Sequence, residues 1–84
     1  MTTAHWKPQH HDVADLMLDG EWRSLEDISI ATGHPQASVS ARLRDFRKAD
    51  FGSHFVRKRL RYYGSRKVYE YLLIARPDPS LAIR

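Results

Sequence analysis

The spacing of apolar residues changes once along this chain, and the change limits the folds open to it. Before residue 51 the apolar side chains recur every three or four positions, as on the buried side of a helix. After Phe51-Gly52-Ser53 the period becomes two, as in strands with two different faces. The sequence therefore predicts an α+β fold in which helices come first and a β-hairpin follows.

The first helix is predicted over residues 9–18. Asp19-Gly20 supplies its end signal, and the next five residues, GEWRS, leave room for a turn or a brief strand over 21–24. Trp22 in this segment is assigned to the core. The apolar positions of the helix, which recur at helical spacing, are Val13, Leu16 and Met17.

Two further helices follow, joined by a short turn. Ser24 is expected to cap the second helix, because an acidic residue stands three positions later as in a capping box. Gly33 ends that helix, since a residue without a Cβ adopts a left-handed conformation at little cost. Pro35 suits the first turn of the third helix, predicted over residues 35–48. The expected buried positions are Leu25, Ile28 and Ala31 on the second helix and Val39, Leu43 and Phe46 on the third.

A β-hairpin is predicted over residues 54–74. Gly64-Ser65 is a turn signal between HFVRKRLRYY and VYEYLLI, which are rich in aromatic and β-branched residues. Residues 1–9 are expected to form a flexible arm and residues 75–84 an extended tail, so that the domain spans residues 10–74. Alternation places Phe55, Arg57, Arg59, Arg61 and Tyr63 on one side of the first strand and Val56, Lys58, Leu60 and Tyr62 on the other.

Charge is segregated along the chain. The formal net charge is +4, but residues 1–35 carry two basic and six acidic side chains, and residues 36–67 carry ten basic and two acidic ones. Such a distribution produces one positive face, which attracts polyanions. The alternative is a solvated basic surface without a partner. The concentration of charge favours nucleic acid.

Composition also argues against several classes of protein. The chain has no cysteine, so neither disulfides nor thiolate metal sites are available. No apolar run approaches the roughly 18 residues that span a bilayer, and the first residues lack the apolar core of a signal peptide. We therefore expect a cytoplasmic protein without a membrane partner. No phosphate loop, nucleophile elbow or paired carboxylates are present, so neither an enzyme nor a cofactor is expected.

Residues with metal-ligand chemistry cluster near the start of the chain. His11 and Asp15 are four positions apart and would share one helical face. No third ligand stands at a firm spacing, so no metal site is predicted and the role of the histidines stays open. The members of the cluster are His5, His10, His11, Asp12 and Asp15.

The order of the elements is that of a known family. SLEDISIATGHPQASVSARLRDFRKADF, followed by a basic hairpin, resembles the winged helix-turn-helix family of DNA-binding domains over about residues 10–74. ASVSARLRDF is similar to the family's second-helix pattern of small polar residues, Val, Ser, a basic residue and Leu. The chain looks especially like short winged-helix proteins encoded by phages and prophages. The resemblance implies double-stranded DNA binding in transcription or replication control, whereas no segment looks like an effector-binding domain.

The third helix is expected to enter the major groove. Small residues near its start allow a close approach of its backbone, and Arg44 is the best candidate for reading guanine, because a guanidinium bonds O6 and N7 together. Arg47 and Lys48 are expected to hold phosphate. Arg42 lies nearer the buried side of the helix, and the sequence does not decide whether it contacts DNA or forms an ion pair with an acidic residue. The predicted DNA contacts of this helix are Gln36, Ala37, Ser38, Ser40, Ala41, Arg44, Arg47 and Lys48.

The hairpin is expected to act as a basic wing along a minor groove or across phosphates, as the family resemblance implies. One alternative is that its charges protect an edge strand from aggregation. Another is that Tyr62, Tyr63, Tyr69 and Tyr71 stack on single-stranded bases rather than on one another. The predicted DNA contacts of the wing are Arg57, Lys58, Arg59, Arg61, Arg66 and Lys67.

Two further questions are left open by the sequence. A winged helix can also serve as an interaction module, here one that binds and modulates a host protein such as a polymerase or nuclease. The acidic first third of the chain offers a second surface for such a partner. A homodimer is also open, through Trp6, the N-terminal arm or the tail that contains Leu81-Ala82-Ile83.

Overall fold

Three helices pack against a three-stranded antiparallel sheet in the computed structural model, which describes residues 6–76. The strands lie in the order β1-β3-β2. The predicted α+β class, with helices first and a hairpin after them, is confirmed. In chain order the elements are α1 (Pro8–Met17), β1 (Arg23–Ser24), α2 (Leu25–Thr32), α3 (Gln36–Phe46), a 3-10 turn (Ala49–Phe51), β2 (Phe55–Tyr63) and β3 (Arg66–Ile74).

One hydrophobic core joins the three helices to the sheet. Each helix contributes the apolar residues that recur at helical spacing, and β3 contributes one buried apolar residue, Leu73. Phe46 and Met17 are the largest side chains that are completely buried. The buried apolar residues are Val13, Ala14, Met17, Ile28, Val39, Leu43, Phe46 and Leu73.

The start of α1 is earlier than the sequence indicates. Pro8 occupies the first helical position, where its missing N–H is no loss, so Pro8 and Gln9 belong to the helix and not to an arm. Trp6 packs against the core and its indole Nε1 donates a hydrogen bond to the carbonyl of Phe51. The arm boundary predicted at residue 9 is therefore too late. Residues 1–5 of the predicted arm lie outside the described residues.

Both ends of α2 have the predicted hydrogen bonds and backbone conformation. Ser24 Oγ accepts from the N–H of Asp27 over 3.0 Å, and Asp27 Oδ2 accepts from the N–H of Ser24 over 3.1 Å. This reciprocal pair is a complete capping box. Gly33 ends α2 with a φ of 78°, in the left-handed region. Pro35 then directly precedes the first residue of α3.

Two details of the helices differ from the prediction. Ala31 is exposed rather than buried, because a step of three residues from Ile28 turns the side chain roughly 60° away from the core. Thr32, one residue further on, is half-buried instead. The third helix ends at Phe46 rather than near Lys48, since the Phe46 carbonyl accepts from the N–H of His54 and the chain turns toward β2.

The hairpin forms with the predicted turn. β2 and β3 pair from Phe55 opposite Ile74 to Tyr63 opposite Arg66. The short strand expected near residues 21–24 is present as β1, which pairs with β3. Of the predicted tail, Ala75 and Arg76 are in neither helix nor strand. Residues 77–84 of that tail, including its three terminal apolar residues, lie outside the described residues.

None of the helices within residues 6–76 has the length and apolar character needed to cross a bilayer.

Candidate nucleic-acid interface

The outward face of α3 is open to solvent. The buried stripe of Val39, Leu43 and Phe46 fixes the rotation of the helix, so the predicted contact residues lie on its accessible sides. Arg44 has no ion pair within residues 6–76, and its guanidinium is available to a ligand. The predicted contacts Gln36, Ala37, Arg44, Arg47 and Lys48 are exposed, and Ser38, Ser40 and Ala41 are half-buried.

Arg42 is engaged inside the protein. Its Nε donates to Asp45 Oδ2 over 3.1 Å, and its Nη1 donates to Gln9 Oε1 over 3.1 Å. The question that the sequence left open is therefore decided in favour of the ion pair. Arg42 ties α3 to α1.

Asp45 accepts from several side-chain donors at the end of α3. His10 Nε2 lies 2.9 Å from Asp45 Oδ2, and Lys48 Nζ lies 3.2 Å from Asp45 Oδ1. Burial raises the pKa of Asp45, but the hydrogen bonds from His10 and Lys48 and the charge of Arg42 outweigh it, so the pKa is lowered. One carboxylate thus offsets much of the charge of Arg42 and Lys48.

Arg47 joins α3 to the hairpin. Its Nη2 donates a hydrogen bond of 2.7 Å to the carbonyl of Val56 on β2. A backbone carbonyl fixes the guanidinium without neutralising it, so its remaining N–H groups and its charge stay available. Arg47 is therefore both exposed and held in one place.

Only one of the two faces of the hairpin packs against the hydrophobic core. Residues directly opposite each other in an antiparallel pair share a face, so the register assigns every side chain to one side. One face contains Leu73 of the core with Val56 and Tyr71 packed beside it, and we call it the helix-side face. The other is the outer face. The helix-side face carries Val56, Lys58, Leu60, Tyr62, Lys67, Tyr69, Tyr71 and Leu73, and the outer face carries Phe55, Arg57, Arg59, Arg61, Tyr63, Arg66, Val68, Glu70, Leu72 and Ile74.

The predicted wing cations are consequently divided between opposite sides of the sheet. Lys58 and Lys67 share the side of α3, whereas Arg57, Arg59 and Arg61 lie on the outer face. Alternation in the sequence identifies residues that share a face, but it does not say which face packs against the helices. That choice depends on contacts distant in sequence.

Arg59 is part of a cluster on the outer face. Its Nε donates to Glu70 Oε1 over 2.9 Å, and its guanidinium lies 4.4 Å from the ring of Trp22. The hydroxyl of Tyr63 donates to the other oxygen of Glu70 over 3.0 Å. Burial raises the pKa of Glu70, but the hydrogen bonds from Arg59 and Tyr63 outweigh it and the pKa is lowered. Arg59 thus stabilises the hairpin, and Trp22, predicted in the core, is half-buried beneath it.

The other hairpin cations are more accessible. Arg66 forms an exposed ion pair of 3.0 Å with Glu26 of α2. Lys58 Nζ lies 4.2 Å from the centre of the Tyr69 ring, a cation–π contact that leaves its charge uncompensated. Arg57 and Lys67 are exposed and have no ion pair within residues 6–76.

Two residues of the N-terminal His/Asp cluster have partners elsewhere in the structure. His10 is buried, with Nδ1 accepting from the N–H of Lys7 and Nε2 beside Asp45. Asp12 lies 2.8 Å from His34 Nε2. Within residues 6–76 no group of three potential ligands is placed to hold a metal ion, and His5 lies outside that range.

No known protein family, curated protein or solved structure matches the chain. The candidate interface is therefore the structural basis for a functional proposal. Its two parts are the accessible side of α3 and the helix-side face of the hairpin, which meet where Arg47 bonds to β2.

Proposed function

We propose that this protein binds double-stranded DNA as a winged helix-turn-helix domain, with α3 in the major groove and the hairpin as its wing. The main support is one arrangement: Arg44, Arg47 and Lys58 line a single cleft between α3 and β2. Cations from a helix and a ribbon thus face the same side of the molecule. A polyanion that contacts one element there can contact the other.

The side chains of α3 suit a groove. An exposed α-helix with small residues in its first turns can approach base edges closely, and its Ser38 and Ser40 hydroxyls can bond bases or phosphates. Arg44 is the proposed reader of guanine, because it is exposed and has no ion pair within residues 6–76. Arg47, fixed against β2, is proposed to contact phosphate.

The wing is proposed to contact the backbone through its helix-side face. Lys58 and Lys67 supply charge there, and the half-exposed ring of Tyr69 lies beside them. Such contacts position a protein on DNA without reading its sequence. The family resemblance adds a proposed role in transcription or replication control and a phage or prophage origin, and the composition adds a proposed cytoplasmic location.

Titration of labelled duplexes at several salt concentrations tests the proposal. If about five phosphates are neutralised, log K should fall with log[salt] at a slope near −4.5. Arg44→Met should weaken binding by about tenfold, whereas Arg57→Met, the same change of charge on the outer face, should weaken it by about twofold. Absence of duplex binding at low salt would contradict the proposal. If duplexes bind, selection from a random pool identifies the preferred site and its symmetry.

A second candidate is a module that binds a host protein. The observation in its favour is an apolar pair on the outer face, where Phe55 and Ile74 lie opposite each other with 57% and 39% of their surfaces exposed. Capture from nuclease-treated lysate, with wild type and a Phe55→Ser variant, separates the candidates. A stoichiometric partner retained by the wild type and lost by the variant supports protein binding.

A further inference from the structure

A cleft of about 170 Å³ separates α3 from β2. Ser40, Arg44 and Arg47 line it from the helix, and Lys58 and Tyr71 line it from the sheet. None of its lining residues is acidic, within the part of the chain that the structure describes. Three cationic residues and the hydroxyl-bearing Ser40 and Tyr71, together with the apolar Leu43 and Val56, therefore line a space large enough for several water molecules of about 30 Å³ each.

Two other clefts show why the absence of carboxylates matters. Both lie near the start of α2, where Arg66 contributes a cation to each. Glu26 lines both of them, and Asp27 and Glu70 line one as well. An anion entering those clefts meets negative charge, whereas an anion between α3 and β2 does not.

Two of the three cations of the α3–β2 cleft are held without being neutralised. Arg47 donates to the Val56 carbonyl, and Lys58 lies over the ring of Tyr69. By contrast, Arg42, Arg59 and Arg66 each bond to a carboxylate. Fixing a cation in advance reduces the entropy that is lost when a ligand binds. The cleft therefore combines uncompensated charge with restricted side chains.

We propose that this cleft binds one phosphate group. Arg47 and Lys58 supply the charge, Ser40 and Tyr71 supply neutral donors, and Arg44 at its helix wall can extend toward a neighbouring base. The claim that this phosphate belongs to a DNA strand rests on the proposed function. The claim that the cleft binds a phosphate group does not, because free phosphate presents the same oxygens as a phosphodiester. A phosphate held here contacts α3 and the wing together, which fixes the register of the helix in the groove.

A titration with inorganic phosphate tests the chemistry without DNA. Amide and side-chain NMR shifts are followed as phosphate replaces chloride at constant ionic strength. We expect saturable shifts centred on Ser40, Arg47, Lys58 and Tyr71. Lys58→Met should weaken binding by about tenfold, and Lys7→Met, a matched loss of charge at the exposed start of α1, should leave it within about twofold. Shifts that do not saturate, or equal effects of the two variants, overturn the proposal.

Duplexes that carry a single neutral methylphosphonate identify the source of the phosphate. For wild type, one position should weaken binding by about tenfold and reduce the salt slope by about 0.9. Lys58→Met should already have lost that contact and respond little at the same position. If duplexes bind but no position shows this coupling, the cleft proposal fails and DNA binding stands. If inorganic phosphate saturates the cleft while no duplex binds, the phosphate site stands with a free phosphate as ligand and the DNA proposal fails.

Discussion

Arg59 and Glu70 lie directly opposite each other on the outer face of the hairpin, where Arg59 Nε and Nη2 approach Glu70 Oε1 to 2.9 and 2.8 Å. Glu70 is only 7% exposed, and its second oxygen accepts from Tyr63. It also pairs with Ser24 of β1 across the sheet. One carboxylate therefore links both strands of the hairpin near the place where β1 joins the sheet.

Glu70→Gln should destabilise the fold. The substitution leaves the Arg59 guanidinium without a negative partner and weakens the acceptor of the Tyr63 hydroxyl, so we expect a loss of about 1–3 kcal/mol in the free energy of unfolding. Urea denaturation measures this loss. The matched control is Glu26→Gln, which breaks the exposed pair with Arg66 and should cost less than about 1 kcal/mol. Equal losses in the two variants would show that burial of Glu70 contributes nothing.

The local signals in the sequence predict much of this fold. The capping box of Ser24 and Asp27 and the end of α2 at Gly33 involve residues three or four positions apart, and such interactions can be recognised from residue types alone. The hairpin is equally local, because its turn at Gly64-Ser65 sets the register of both strands.

The pairing of charges could not be predicted in the same way. His10 meets Asp45 across 35 positions of sequence, and Arg42 meets Gln9 across 33. These contacts exist because α1 packs against α3, which no period or cap reveals. Arg59 and Glu70, by contrast, face each other across the hairpin, so their pairing follows from its register, although the sequence alone suggested a DNA contact for Arg59.

Asp19 should titrate with a midpoint near pH 2. Hydrogen bonds from Arg23 and from the N–H of Glu21 lower its pKa from 3.8 to about 2. Since the folded pKa lies below the unfolded one, the stabilising contribution of the carboxylate is present above about pH 4 and is lost as the pH falls to 2. Carbon-13 NMR of the carboxyl group gives the midpoint directly.

The Arg23→Met variant tests the cause of that shift. Removing the guanidinium should move the Asp19 midpoint upward toward 3.8. The control Arg57→Met removes an equal charge from the hairpin and should leave the midpoint near 2. If both variants titrate alike, the ion pair is not the source of the shift.

Gly52→Ala should destabilise the protein more than an ordinary glycine substitution. Gly52 has a φ of 109°, and a Cβ there would overlap the buried imidazole of His54. Backbone strain and the clash together should cost about 2–3 kcal/mol. Thermal unfolding measures the loss. Gly64→Ala is the control, because its φ is also positive at 64° but a Cβ would meet no atom within 4 Å, so about 1 kcal/mol is expected.

Asp45→Asn should strengthen binding to DNA of any sequence. The substitution removes the negative charge that offsets Arg42 and Lys48 at the end of α3. Under the proposed function Lys48 becomes available to one more phosphate, so the salt slope should steepen by about 0.9 and low-salt affinity should rise about fivefold.

The same substitution should reduce stability, because Asp45 is also the partner of the buried His10 side chain. A loss of about 1–3 kcal/mol is expected in urea denaturation, and the binding measurements must be made where the variant is folded. Asp15→Asn removes an equal charge from the exposed surface of α1 and should change neither the slope nor the stability appreciably. An unchanged slope for Asp45→Asn would mean that Lys48 does not lie beside the DNA backbone. A steeper slope for both variants would mean that binding responds to net charge alone and not to the end of α3.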